Sequence, residues 1–225
     1  MSVEGKKIFY ASVFPILFVI VLWLTWLVQI NIANDWMHLG VYPRETNGLL
    51  GILTSVFIHS SVGHLFSNTI PLLMLGWCLF YFYKDLSFIV LPCLWLLSGL
   101  FTWLIGREAW HVGASGLIFA LSFFLFFSGI IRKYIPLMAV SLLVAFVYGS
   151  TIWSMLPIAE AYDPKLSWEG HLSGAIAGTF TALMFYKHGP QKPIEIEEEE
   201  DDEEEENNEN NEEETESFYT KNTTL

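Results

Sequence analysis

Six apolar runs, at residues 9–30, 64–83, 87–105, 115–131, 135–156 and 171–186, constrain this chain more than any other feature. Five of them match the ~17–25 residues that carry an α-helix across a ~30 Å hydrocarbon core, and the last falls just short of it. Inside that core no water is available to the backbone, so each run must satisfy its own amides as a helix. The expected fold class is therefore all-α: a polytopic membrane protein with a six-transmembrane-helix bundle. Composition agrees, since 53% of residues are hydrophobic and the mean hydropathy is +0.43, which excludes an ordinary soluble domain. Lys6 and Lys7 before the first run resemble the start of a signal peptide. The run is too long for an h-region, however, and no small-x-small cleavage site follows it, so it reads as a first membrane helix.

The breaks between runs hold the polar and helix-breaking residues. They are the long connection Asn31 to Gly63, the turn Lys84-Asp85, the Arg107-Glu108 loop, Arg132-Lys133, and Glu160 to Glu169 with Asp163-Pro164. No internal repeat is visible. If the N-terminus is cytoplasmic, the inner side collects Lys6, Lys7, Lys84, Arg132, Lys133, Lys187 and Lys192, against Arg44, Arg107 and Lys165 outside. That bias places both termini inside and suggests a multi-pass protein of the cell membrane. The formal charge of −13 belongs to a tail: 16 of the 24 acidic residues lie between Glu195 and Glu216. Two regions follow, a membrane domain over 1–190 and an acidic tail over 191–225 expected to be disordered and cytoplasmic. Cys78 and Cys93 sit inside apolar runs and read as buried free thiols.

Polar groups inside spans are costly, so each marks a candidate site. Three places stand out: His64 with Asn68 at the start of the second span, Gly113-Ala114-Ser115-Gly116 at the start of the fourth, and Gly170-His171-Leu172-Ser173-Gly174 at the start of the sixth. Spans two, four and six all begin on the outer side in this topology, so the three places share one depth. The fourth span has about 17 residues from Ser115 to Arg132-Lys133, roughly 25 Å of helix, which sets Ser115 slightly below the outer surface. Serine becomes a nucleophile when a neighbouring base takes its proton, and histidine is suited to that task. The stripe Gly170-x3-Gly174-x3-Gly178 permits close helix approach, with Gly113 and Gly116 expected on the facing surface. His64, Asn68 and the Ser115 backbone N–H are candidates for an oxyanion hole. No acid in the spans is placed to orient His171, so a Ser–His dyad is expected.

The combination of His64-x3-Asn68, Gly113-Ala114-Ser115-Gly116 and Gly170-His171-x2-Gly174 resembles the rhomboid family of intramembrane serine proteases over roughly residues 9–186. The resemblance implies Ser115 as nucleophile, His171 as general base and acid, and His64 and Asn68 on the oxyanion side. It also implies a six-helix core around a water-filled cavity, and Phe119 as the aromatic packed against the catalytic histidine, where many members carry Tyr. The Trp-Arg pair of some bacterial members is absent; Tyr42-Pro43-Arg44-Glu45 occupies that region. Expected partners are transmembrane protein substrates and membrane lipid, with no nucleic acid, no cofactor and no metal, since nothing like His-Glu-x2-His is present. His59 reads as a structural hydrogen-bonding residue, His111 as lining the cavity mouth, and His38 and His188 as interfacial. The rival readings are a catalytically inactive helix binder or chaperone on the same fold, and a transporter, which would need polar residues through the full membrane depth.

Overall fold

The computed structural model describes residues 2–191; the acidic tail, Gln191 apart, lies outside them. The described residues are mostly helical, with no strand among them, and each apolar run forms a helix over most of its length: α1 Val3–Asn31, α2 Val62–Tyr83, α3 Ser87–Ile105, α4 Ser115–Arg132, α5 Ile135–Tyr148 and α6 Trp168–Met184. By length and apolarity Val3–Asn31, Val62–Ile105 and Ser115–Arg132 can cross a membrane, and Ile135–Val147 with Gly149–Met155 forms a fourth candidate bent by 63°.

The 44-residue run Val62–Ile105 would measure about 66 Å as one rod, twice the hydrocarbon thickness. It turns at Lys84, whose φ of 48° is left-handed. Ring contacts show the reversal. Phe14 of α1 meets both Phe80 of α2 and Phe88 of α3, while Phe18 meets Trp95, so α1 and α3 rise together. Trp23 Nε1 donates to Thr69 Oγ1 at 3.1 Å, so α2 descends between them. The run is therefore two antiparallel helices.

Helices α2, α4 and α6 all point the same way. Tyr83 at the end of α2 donates to Ser128 near the end of α4 at 2.8 Å. Between α4 and α6, Gly116 lies against Gly170 and Gly174, Ala120 against Gly178, and Arg132 against the end of α6. His64, Ser115 and His171 thus start three parallel helices at one end of the bundle. A Cβ at Gly174 would run into the Gly116 carbonyl oxygen, and one at Gly178 into that of Ala120. The small residues of α6 therefore set the backbone-to-backbone distance. Gly113, expected on this surface, is elsewhere: its φ is +107° and a Cβ there would meet the His64 ring. It gives the turn before α4 its shape and makes room for His64.

At 17 residues α6 is at the lower limit for a crossing. Its Ser, Gly and Ala content suits a helix buried between neighbours rather than one facing lipid. Arg132, expected as an inner-surface anchor, is buried and 6% exposed. It donates to the carbonyls of Phe185 at 2.8 Å and Tyr186 at 2.9 Å, and to Ser128. Both carbonyls lie just past the last turn of α6, and the Phe185 oxygen also accepts from the His188 amide at 2.9 Å. Cys78 is buried as expected, whereas Cys93 is only half-buried.

Candidate active site

The connection from Asn31 to Gly63 is short helical turns folded over the start of α4. Arg44, in the left-handed region with φ 61°, donates to the carbonyl of Gly106 at 2.7 Å and so caps the end of α3. Val41 and His111 exchange backbone hydrogen bonds at 2.9 and 2.8 Å, tying this connection to the segment that delivers Ser115. A cavity of about 840 Å³ opens at the end of the bundle where α2, α4 and α6 begin. His64, Asn68, His111, Ser115, Phe119 and His171 all line it.

Ser115 is the first residue of α4, and Ala114 before it supplies no side-chain cap. The amides of that first turn therefore keep unspent donor capacity beside the cavity. Phe119, one turn further on the same helix face, stacks on the His171 ring with centroids 4.4 Å apart and planes at 20°. The imidazole is thus held flat against the helix that carries Ser115. Among the described residues Ser115 Oγ makes no hydrogen bond in this resting geometry.

His171 is oriented by a residue that sequence reasoning missed. Its Nδ1 lies 3.0 Å from the carbonyl oxygen of Ser154 and 3.1 Å from Ser154 Oγ. A carbonyl only accepts, so Nδ1 carries the hydrogen and Nε2 keeps its lone pair. Ser154 lies in the 3-10 turn Gly149–Met155 that follows α5. The bend there returns the chain toward α6. Within the apolar run 135–156 the only signal was a Gly-Ser-Thr sequence at 149–151 that ends the regular helix.

His64 and Asn68 lie one turn apart on α2. Ser61 caps that helix by accepting from the His64 amide at 3.1 Å. The His64 ring pairs with Ser60 Oγ at 3.3 Å. Asn68 Nδ2 lies 3.1 Å from His59 Nε2, and His59 Nδ1 faces the Phe57 carbonyl at 3.4 Å. His59 therefore donates through Nδ1 and accepts one Asn68 N–H, which leaves the second Asn68 N–H for the cavity. His59 is wholly buried. Burial first, and the neighbouring His64 charge second, lower its pKa to about 4, so the acceptor is present at neutral pH. His59 is thus structural, in keeping with its sequence reading. His38 pairs with Asp35 at 3.0 Å, away from the dyad. Among the described residues no three His, Cys, Asp or Glu side chains converge as metal ligands would.

A second polar cluster lies at the rim. Glu169, 2% exposed, takes both Oε atoms to Arg107 Nη1, at 3.2 and 3.1 Å. His111 Nδ1 is 2.6 Å from Ser167 Oγ. None of these links was legible from the sequence, where Arg107 and Glu169 read as loop charges.

The fold and site define a class: an all-helical membrane bundle with a serine and a histidine facing one cavity near one end. Comparison with known proteins places the chain within that class. The Rhomboid domain model matches residues 46–188, and the chain belongs to the rhomboid family. Uncharacterized proteins of Mycobacterium tuberculosis and Mycobacterium bovis are 38% identical over 152 residues, covering 64% of this chain and 62% of theirs. An uncharacterized protein of Mycobacterium leprae is 32% identical over 174 residues, covering 74% of this chain and 68% of its own. The chain thus spans under two thirds of the length of the first two relatives.

Proposed function

We propose that this rhomboid-family chain is an intramembrane serine endopeptidase that cleaves transmembrane segments of membrane proteins through Ser115 and His171. The observation that carries the reading is the Ser154 carbonyl on His171 Nδ1. It fixes the tautomer whose free Nε2 serves as a base, in a cavity that Ser115 also lines.

In this mechanism His171 Nε2 takes the Ser115 hydroxyl proton as Oγ bonds to the substrate carbonyl carbon. The resulting oxyanion is held by Asn68, His64 and the uncapped amide at the start of α4. His171 then gives its proton to the leaving amine nitrogen as the C–N bond breaks, leaving an acyl ester on Ser115. Water, deprotonated by the same Nε2, attacks the ester, and the proton returns to Oγ as the carboxylic product departs. The imidazolium formed midway keeps its Nδ1–H on the Ser154 carbonyl, which plays the part of an orienting carboxylate without its charge. Cleavage falls near the outer membrane face, with both termini cytoplasmic and the protein in the cell membrane.

The test is labelling of Ser115 by a serine-directed fluorophosphonate together with cleavage of a reporter transmembrane substrate in detergent. Both are expected in the native protein and absent in Ser115→Ala and His171→Ala. A Ser115→Ala protein that still cleaves the reporter would refute the assignment of nucleophile. One observation favours the rival, a non-catalytic helix binder: Ser115 and His171 are not hydrogen-bonded at rest. Catalytic hydrogen bonds are often loose before substrate binds, and native protein that is neither labelled nor active would decide for the binder.

A further inference from the structure

The cluster at the cavity rim joins the two segments that deliver nucleophile and base. Arg107 and His111 precede Ser115 by eight and four residues, and Ser167 and Glu169 precede His171 by four and two. Arg107 binds the far segment at several points. Nη1 meets both Glu169 oxygens, its backbone N–H donates to Glu169 Oε1 at 3.3 Å, and Nη2 donates to the carbonyls of Leu166 at 2.9 Å and Pro164 at 3.2 Å. Glu160 adds a longer ion pair at 3.5 Å.

His111 closes a second link. Its Nε2 faces the Arg107 carbonyl at 3.0 Å, so Nε2 donates, and Nδ1 accepts from Ser167 Oγ. Ser167 Oγ in turn accepts from the Gly170 amide at 3.2 Å as the N-cap of α6. Burial keeps this histidine's pKa below its ordinary value, consistent with a neutral ring. Each of the four side chains has a partner in the cluster, and the Glu169 carboxylate sits in the first turn of α6, where the helix dipole favours it.

We propose that Arg107–Glu169 and His111–Ser167 form a clasp that positions Ser115 against His171. The proposal rests on the protease reading above. None of the four touches the reacting atoms; they act by holding the start of α6 to the segment entering α4. A second fixed point already exists where Gly116 meets Gly174. With the clasp, the two helix starts are pinned on both sides of the dyad. A displacement near 1 Å at a reacting pair can lower rate by ~100-fold, so a clasp of this kind governs turnover more than binding.

Glu169→Gln removes the charge but keeps one oxygen for Arg107, and Ser167→Ala opens the His111 link. Both are expected to slow fluorophosphonate labelling of Ser115 and to lower kcat by ~10-fold or more with KM little changed, while melting in detergent stays close to native. The double variant is expected to lose less than the product of the two single effects, because both break the same alignment. Should Glu169→Gln fail to fold, Ser167→Ala and His111→Gln carry the test. Folded variants that label and turn over at native rates overturn the clasp, as does a loss confined to KM. Native protein that is unlabelled, or a label that survives Ser115→Ala, overturns the protease reading instead.

Discussion

At the level of single residues, the site depends on hydrogen positions fixed by neighbours. Phe119 contributes a ring and no polar atom. Aromatic stacking of this kind contributes ~0.5–1.5 kcal/mol, so Phe119→Leu should lower kcat by about 3- to 10-fold. Phe119→Tyr, which keeps the stack, should retain activity; both follow from initial rates on a reporter substrate. His59 gives a pH prediction. Its folded pKa, about 4, lies below the ordinary 6.5, so below pH 6.5 the unfolded chain binds a proton that the folded one refuses. The stability it contributes is complete above 6.5 and is lost as pH falls toward 4. Melting in detergent should drop across that window, and His59→Gln should flatten the dependence. That Ser115, His171, His64 and Asn68 face one cavity was legible because polar side chains are conspicuous in apolar runs. Ser154 was not, since it acts through a carbonyl that every residue owns, and only the bend after α5 brings it to His171.

Between elements, the α4–α6 contact is the tightest. Adding one methyl at Gly174 puts Cβ into the Gly116 carbonyl and against Phe119, and neither backbone can yield cheaply. Gly174→Ala should cost ~1–3 kcal/mol, seen as a lower melting temperature with reduced reporter cleavage. Gly149→Ala is the control, because nothing lies within 4 Å of its Cβ position and its φ of −60° suits alanine. The glycine stripe at 170, 174 and 178 announced a close approach from sequence alone. Of its two expected partners, Gly116 faces the stripe and Gly113 does not. Gly113 shares a motif with Gly116 but faces His64, because its own φ of +107° turns the chain there before Ala114 leads into the helix. Arg132 departs from its sequence reading too: a cation at the end of an apolar run reads as a lipid-facing anchor, yet here it donates to the carbonyls of Phe185 and Tyr186 at the end of α6.

Across the whole molecule, apolar length made the bundle legible, and the direction of α2, α4 and α6 followed from counting passes. The rim clasp and the hold of Arg132 on the end of α6 were hidden because they join residues 50 or more positions apart, and single-sequence patterns carry no such pairing. The cation bias predicts both termini on the cytoplasmic side. Single cysteines placed at Ser2 and Lys187, with Cys78 and Cys93 replaced, should both be blocked by impermeant maleimide only in inverted vesicles. Removing the residues after Pro193 should leave detergent activity within about twofold, as measured by reporter cleavage. Activity lost on truncation would show that the acidic segment serves the bundle.

The acceptor that orients His171 lies in the main chain, and this changes how the site responds to mutation. A carboxylate third member can be erased by one codon change; a carbonyl survives every side-chain replacement at its position. Ser154→Ala should therefore leave most of the activity in place, and a scan of side chains would pass over the group entirely. Chemical editing of the backbone would reveal it. Replacing the amide after Ser154 with an ester, so that the carbonyl becomes a poorer acceptor, should weaken the base while every side chain stays as encoded.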